Sequence, residues 1–323
     1  MKTACEKIWE SGEYKYEAAY GFEPNIHAFI HEDGIRDALI VVPGGGYCMC
    51  VPPEAEIVAK KFYELGLNTF VLTYTTDITM SVPLKKQPFY DLARAVRFVR
   101  AKSTEYCLGN KLFICGFSAG AHVCGTLAVH YDDAEEKNAG YSAYSCHPDG
   151  VILSYPVITT GEYTHIYSVQ ALIGKNPTEQ ELNYFSLEKN VTDKTPPCFI
   201  WQTATDNLVP VQNSYLFAHA LKEKNIPFAH YVFPEGFHGL SIADKDFFDG
   251  NFGKPYTMEQ VKLAVKAVKA GEGVNVSAQR RAELEEQFSD KNKQPEPQVK
   301  INPDDFKDVS MWPDLAISWM KRI

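Results

Sequence analysis

No stretch of the 323 residues approaches 18 consecutive apolar residues, so nothing here is long enough to cross a bilayer as a helix. The first twenty residues, MKTACEKIWESGEYKYEAAY, lack the apolar core of a secretory signal, and the chain therefore reads as cytoplasmic with no membrane partner. A strongly basic run is missing as well. The formal net charge of −9 disfavours nucleic acid as a partner, because binding a polyanion takes Lys and Arg to replace its condensed counterions. Paired CxxC spacing is also absent, and Cys48 and Cys50 stand too close for a zinc knuckle, so neither a metal nor another cofactor is expected. Cys48, Cys50, Cys115 and Cys124 fall in or beside apolar runs and read as reduced thiols packed as small hydrophobes. The sequons at Asn190 and Asn275 read as chance matches, since glycosylation needs a secretory route.

What is present is an ordinary globular composition, 45% hydrophobic and 23% charged, in a chain of a length that α/β proteins build around one sheet. From about residue 38 to 240, short apolar runs alternate with longer helical patterns, the signature of a parallel sheet covered on both faces. Strands are expected at 38–42, 68–74, 111–115, 150–154, 198–202 and 229–233. Helical spacing marks 54–65, 119–129 and 211–224, together with 89–99, where Arg94, Arg97 and Arg100 interleave with the apolar set and suggest a surface helix. A polar stretch of about 156–197, with one short helix near Thr178 to Tyr184, is long enough to form a cap over the strand ends.

Where the strand KLFIC meets the following helix, the sequence reads Gly116-Phe117-Ser118-Ala119-Gly120. This is a GxSxG elbow in its required strand-turn-helix setting, and it makes Ser118 the candidate nucleophile. A serine hydroxyl needs a base, and the base needs an acid to fix its tautomer. Asp206 follows the strand CFIWQ and His238 follows AHYVF, both at carboxyl ends of strands where α/β sites form. Taken singly, Asp206 could cap the next helix and His238 could be a loop histidine, and Asp193 and Asp244 are rival acids, though neither follows a strand directly. Attack on an ester creates an oxyanion that needs preplaced donors: the Ala119 N–H on the helix side, and the Gly45 and Gly46 N–H groups in Pro43-Gly44-Gly45-Gly46-Tyr47. A phosphate-binding reading of that glycine run is disfavoured by Pro52-Pro53 and by the lack of a following GK[ST].

PGGGY at 43–47, GFSAG at 116–120, the TD-x-x-VP segment at 205–210 and GFHGL at 236–240 together resemble the acetylxylan-esterase-like branch of the α/β-hydrolases. The likeness extends to Tyr184 to Glu188 and Thr195 to Pro197, spans about 35–245 and resumes at Trp312 to Met320. It implies an α/β-hydrolase fold and metal-free removal of small acyl groups, typically acetyl from xylo-oligosaccharides, with a small acylated carbohydrate as the partner. Two departures stand out: Asn207 where relatives often carry a second Asp, and about sixty residues between the histidine loop and the final helix.

One domain is expected, with core at about 35–244 and 309–323, cap at about 156–197 and a helical insertion at about 245–308. In the insertion, Thr257 and Gln260 resemble a capping box, Met258, Val261, Val265 and Val268 share a helical face, a weaker helix covers 277–288, and 291–297 reads as a linker. Such a unit must lean on the core or on a partner subunit, which leaves a homo-oligomer open. The aromatics Tyr163, Tyr167, Tyr184 and Phe185 suit stacking on a sugar, with burial in the core as the alternative. Two other functions compete: a serine peptidase of the prolyl-oligopeptidase class, which shares triad and fold but usually carries a large further domain, and a catalytically silent hydrolase fold serving as a binding module.

Overall fold

The computed structural model describes residues 1–137, 140–289 and 301–323, so the expected linker at 291–297 lies outside the described residues. Eight strands form one sheet: β1 (Lys2–Lys7), β2 (Asn25–Ile30), β3 (Arg36–Val42), β4 (Asn68–Thr73), β5 (Leu108–Phe117), β6 (Gly150–Ser154), β7 (Cys198–Thr203) and β8 (Phe228–Phe233). Their order is β1-β2-β4-β3-β5-β6-β7-β8. The six strands from β3 onward run parallel, with Ile40 of β3 opposite Phe70 on one side and Ile114 on the other, while β1 and β2 add an antiparallel edge.

Helices cover both faces: α1 (Glu56–Glu64), α2 (Gln87–Ala101), α3 (Ala119–Lys137), α4 (Ile166–Ile173), α5 (Glu179–Tyr184), α6 (Gln212–Glu223), α7 (Lys245–Phe248), α8 (Glu259–Lys269), α9 (Ala278–Gln287) and α10 (Trp312–Met320). The alternation of strand side chains decides which helix meets which face. Ala38, Ile40 and Val42 face α2, α3 and α6, sharing a core with Val96, Leu127 and Phe217. Leu39 and Val41 point the other way, to a core with Phe62 of α1 and Trp312 and Trp319 of α10. This is the α/β-hydrolase architecture, and a strand buried on both faces has no reason to alternate polar with apolar, which is why ALIVV carries no polar residue.

Two expectations change. The helix at 89–99 is not a surface helix: Arg94 and Arg97 are buried, and the N-terminal segment lies over Arg94. Arg94 donates to the Ile8 carbonyl and to Glu13, with its guanidinium against the rings of Trp9 and Tyr141. Nor do Thr257 and Gln260 form a capping box. Thr257 sits in a 3-10 turn before α8, and the Gln260 side chain instead accepts from the N–H and hydroxyl of Thr76, 2.8 and 3.1 Å away. That bond belongs to a larger attachment in which Val261, Val265, Val268 and Leu284 bury Ile78, with Cys48 and Met49 packed against them. In the cap region, the capping box of α5 is real, with Thr178 and Glu181 satisfying each other's backbone N–H.

Trp312 holds α10 in place: it is fully buried, stacked on Trp201 at 5.2 Å and donating from its indole to the Ser241 carbonyl at 2.8 Å. Trp312→Ala is expected to lower unfolding free energy by about 3–5 kcal/mol, and Trp312→Phe by clearly less, measured by urea denaturation. An alanine variant as stable as wild type would show that α10 is dispensable to the core.

Candidate active site

The strand order reverses between β3 and β5, and the crevice at the carboxyl end of such a switch point is where open α/β sheets place ligands. Ser118 stands there, one residue past β5, with a left-handed backbone at φ +53°. The turn is as tight as its sequence requires: a Cβ on Gly116 would come within 2.4 Å of the Gly120 carbonyl, and one on Gly120 within 2.1 Å of the Val42 carbonyl. Strain of this kind persists only where the surroundings fix it. Here the Ser118 N–H donates to the Ser154 carbonyl at 3.0 Å, and the Ser118 carbonyl accepts from the N–H groups of His122 and Val157.

His238 lies beside the serine, its Nε2 2.8 Å from Ser118 Oγ and its Nδ1 2.8 Å from Asp206 Oδ2. A carboxylate can only accept, so Nδ1 carries the proton and Nε2 is left free to take one from Ser118. The Asp206 side chain has no solvent exposure, and its other oxygen accepts the Leu208 and Val209 N–H groups, both at 2.9 Å. Gln202 donates to Oδ2 from 3.3 Å. Of the rival acids, Asp244 caps α7 by accepting from the Phe247 N–H, and Asp193 is solvent-exposed. Neither carboxylate is bonded to His238.

The loop after β3 lies directly against the elbow. A Cβ on Gly44 would meet the Phe117 carbonyl at 2.5 Å and Ser118 Cβ at 2.9 Å, so only glycine fits. Among the described residues, none accepts a hydrogen bond from the N–H groups of Gly45, Gly46 or Ala119.

Several further residues hold this geometry. The Asn207 side-chain oxygen accepts the His238 N–H at 3.2 Å and so ties the Asp206 loop to the His238 loop. Glu54, expected to begin a helix, is buried in a 3-10 turn with its carboxylate on the Gly44 N–H at 2.7 Å and the Tyr155 hydroxyl at 2.8 Å. Burial raises its carboxyl above the ordinary range, and the Tyr155 hydroxyl, His238 and the Gly44 N–H oppose that rise. At the far end of the loop, the Tyr47 hydroxyl lies 2.6 Å from His122 Nδ1, and His122 Nε2 lies 2.9 Å from the Phe185 carbonyl. The carbonyl fixes Nε2 as donor, so Tyr47 donates to Nδ1 and His122 is neutral.

Tyr47 and His122 line a tight gap with Val157, Leu172 and Phe185, roofed by α4 and without room for a water molecule. The larger hollow of about 620 Å³, lined by Asp37, Lys111 and Met320 among others, lies at the amino ends of the strands and has no part in this arrangement. The four aromatics divide. Phe185 is core, Tyr184 stacks on His130 at 3.8 Å, Tyr163 is half-buried and Tyr167 keeps 65% of its surface exposed. Beside Tyr167, half-buried His165 bonds Ser168 and has its pKa lowered by burial and by His238 nearby.

Fold and site together define an α/β-hydrolase with serine-hydrolase geometry. Residues 27–221 match the BD-FAE family model, and the chain belongs to that family. It is 62% identical over 270 residues to endo-1,4-beta-xylanase B of Butyrivibrio fibrisolvens, covering 83% of this chain and 42% of that protein. It is 28% identical over 225 residues to an acetylxylan esterase of Xylanibacter ruminicola, covering 67% and 43%. The chain thus spans less than half the length of these curated relatives. A crystal structure of an acetyl ester-xyloside bifunctional hydrolase from Caldicellulosiruptor lactoaceticus superimposes with a TM-score of 0.70 at 34% identity, covering 84% of this chain and 97% of the other. Among the described residues, no helix is long and apolar enough to cross a membrane, and no cluster of His, Cys, Asp and Glu could hold a metal ion.

The neutral His122 makes stability depend on pH. Burial pulls its pKa down to about 4 from 6.5, so the stability it contributes is complete above about pH 6.5 and is lost as pH falls toward 4. The window carries on the order of 3 kcal/mol. His122→Phe should be less stable than wild type at pH 7.5 and should lose less on acidification, measured by urea midpoints from pH 7.5 to 4. Parallel profiles for the two proteins would remove His122 as the cause.

Proposed function

We propose that the chain is a serine esterase removing small acyl groups, acetyl foremost, from xylo-oligosaccharides or related sugars through an acyl-enzyme. The observation that carries this reading is the line of two 2.8 Å contacts from Ser118 through His238 to buried Asp206, beside a glycine loop pressed against the serine. As Ser118 Oγ attacks the acyl carbon, His238 Nε2 takes its proton, and Asp206 holds and stabilises the resulting imidazolium. The carbonyl oxygen turns toward the Ala119, Gly45 and Gly46 N–H groups. Collapse of that intermediate releases the sugar hydroxyl, which takes the proton from His238. Water then repeats the sequence on the acyl-enzyme.

The relatives named for acetylxylan and acetyl ester-xyloside hydrolysis favour a short acyl group on a carbohydrate leaving group. Exposed Tyr167 and neighbouring His165 offer a ring face and a polar nitrogen for it. A cytoplasmic setting goes with eight free thiols.

Ser118→Ala and His238→Ala should each lower kcat on p-nitrophenyl acetate by about 10⁴-fold or more, and Asp206→Asn should leave roughly ten- to a hundredfold more activity than either. Labelling of wild type by a fluorophosphonate probe, absent in Ser118→Ala, checks the nucleophile directly. Failure of wild type both to label and to turn over any short-chain ester would favour a silent binding module, and turnover of peptides alone a peptidase.

For the sugar, His165→Ala should raise KM on acetylated xylo-oligosaccharides by about tenfold, the scale of one lost polar contact, while changing p-nitrophenyl acetate little. Equal effects on both substrates, or rates that climb with acyl chain length, would count against the carbohydrate reading.

A further inference from the structure

Glu54 is a charged residue in an unusual place. It is 4% exposed, among the described residues it makes no ion pair, and it sits under the crevice rather than in it. Placing a carboxylate there is costly unless both oxygens are satisfied. They are, by two donors from different parts of the chain: the Gly44 N–H after β3 and the Tyr155 hydroxyl after β6. The Tyr155 oxygen in turn accepts the Ser241 N–H at 3.2 Å, three residues past His238, so its own proton is directed to Glu54. Ser241 closes the circuit by donating its hydroxyl to the Pro53 carbonyl at 2.6 Å, next to Glu54. The ring of Tyr155 meets His238 edge-on at 4.9 Å.

We infer that Glu54 is a positioning residue for the oxyanion loop: by fixing Gly44 and, through Tyr155, the histidine loop, it sets where the Gly45 and Gly46 N–H groups point relative to Ser118. The inference rests on the acyl-enzyme reading above. Glutamine is nearly the same shape but presents one acceptor where two donors converge, so one of the two contacts is lost and the loop is free to turn. Donors that must meet an oxyanion are sensitive to such a change, because their contribution depends on being aimed before the reaction begins.

The experiment compares Glu54→Gln, Tyr155→Phe and the double variant with wild type and Ser118→Ala. Each is assayed for kcat and KM on p-nitrophenyl acetate, for inhibition by a boronic acid that forms a tetrahedral adduct on the serine, and for cooperative thermal melting. Glu54→Gln is expected to lower kcat by about 30- to 300-fold with KM within about threefold, and to weaken the boronic acid by a similar factor, since both report the oxyanion donors. Tyr155→Phe should lose less, and the double variant should be little worse than Glu54→Gln, because the two substitutions break one chain.

A Glu54→Gln variant with unchanged kcat, a loss confined to KM, or a fall in kcat with unchanged boronic acid affinity would each overturn the inference. Should Glu54→Gln fail to fold, Tyr155→Phe decides, and unchanged kcat and inhibition there overturn it equally. An active Ser118→Ala would overturn the nucleophile assignment and the role of Glu54 together. An inactive Ser118→Ala beside a fully active Glu54→Gln would overturn the role of Glu54 alone.

Discussion

A serine held in the left-handed region at the tip of a strand is a strained arrangement, and the rest of the crevice is built around keeping it so. The backbone of the elbow is held by other backbone: Val42 and Pro43 against Gly120, Ser154 on the Ser118 N–H, His122 and Val157 on its carbonyl. Backbone contacts at such distances leave no slack, because a side chain can change rotamer and a carbonyl fixed in a sheet cannot. The elbow therefore transmits the register of β3, β5 and β6 directly to the position of one oxygen atom. A loop-borne serine would lack that precision.

The same edge of the sheet supplies the other groups. The segments after β3, β6, β7 and β8 all end beside the elbow, and they are joined to one another by side chains more than by contact with the serine. Asn207 links the segments after β7 and β8, Thr203 and Thr205 both donate to the Gly236 carbonyl, and Glu54 and Tyr155 link the remaining two. Apolar packing could bring these loops near each other but could not orient an N–H or a ring nitrogen. Hydrogen bonds between loops can, and burial makes them strong provided each group is satisfied.

This division explains what could be read in the sequence. The inner parallel strands were legible because burial on both faces leaves short, mostly apolar runs, and half-buried β8 was legible from its aromatic and β-branched residues, while the elbow, the Asp206 turn and the GFHGL loop were legible because each candidate group stands in a short motif of adjacent residues. The antiparallel strands β1 and β2 were not. β1, with Lys2, Thr3, Cys5 and Lys7 exposed, pairs on one side only and carries no apolar run. Arg94 misled because its partners Ile8 and Glu13 lie some eighty residues earlier. Glu54, Tyr155 and His122 share that difficulty: each acts on a partner distant in sequence, and no local pattern distinguishes a buried glutamate after two prolines from a solvated one. Among the aromatics of the cap, composition could not tell Tyr167 from Phe185, since exposure is decided by how α4 and the preceding loop fold back.

The loop network also reaches the end of the chain. Trp312 donates to the Ser241 carbonyl, the Ser241 N–H to the Tyr155 hydroxyl, that hydroxyl to Glu54, and Glu54 receives the Gly44 N–H. Four hydrogen bonds thus run from the last helix to the glycine loop, passing one residue at a time beneath His238. The last helix is separated from the histidine loop by some seventy residues, and α8 and α9, which lie between them in sequence, pack instead over Ile78 with Cys48 and Met49 at their edge. A long excursion between two members of one network is tolerable because loop-closure entropy grows only slowly with length. What the fold cannot tolerate is a change of register where the excursion returns, since α10 both fills the core beneath β7 and sets the carbonyl on which the network ends.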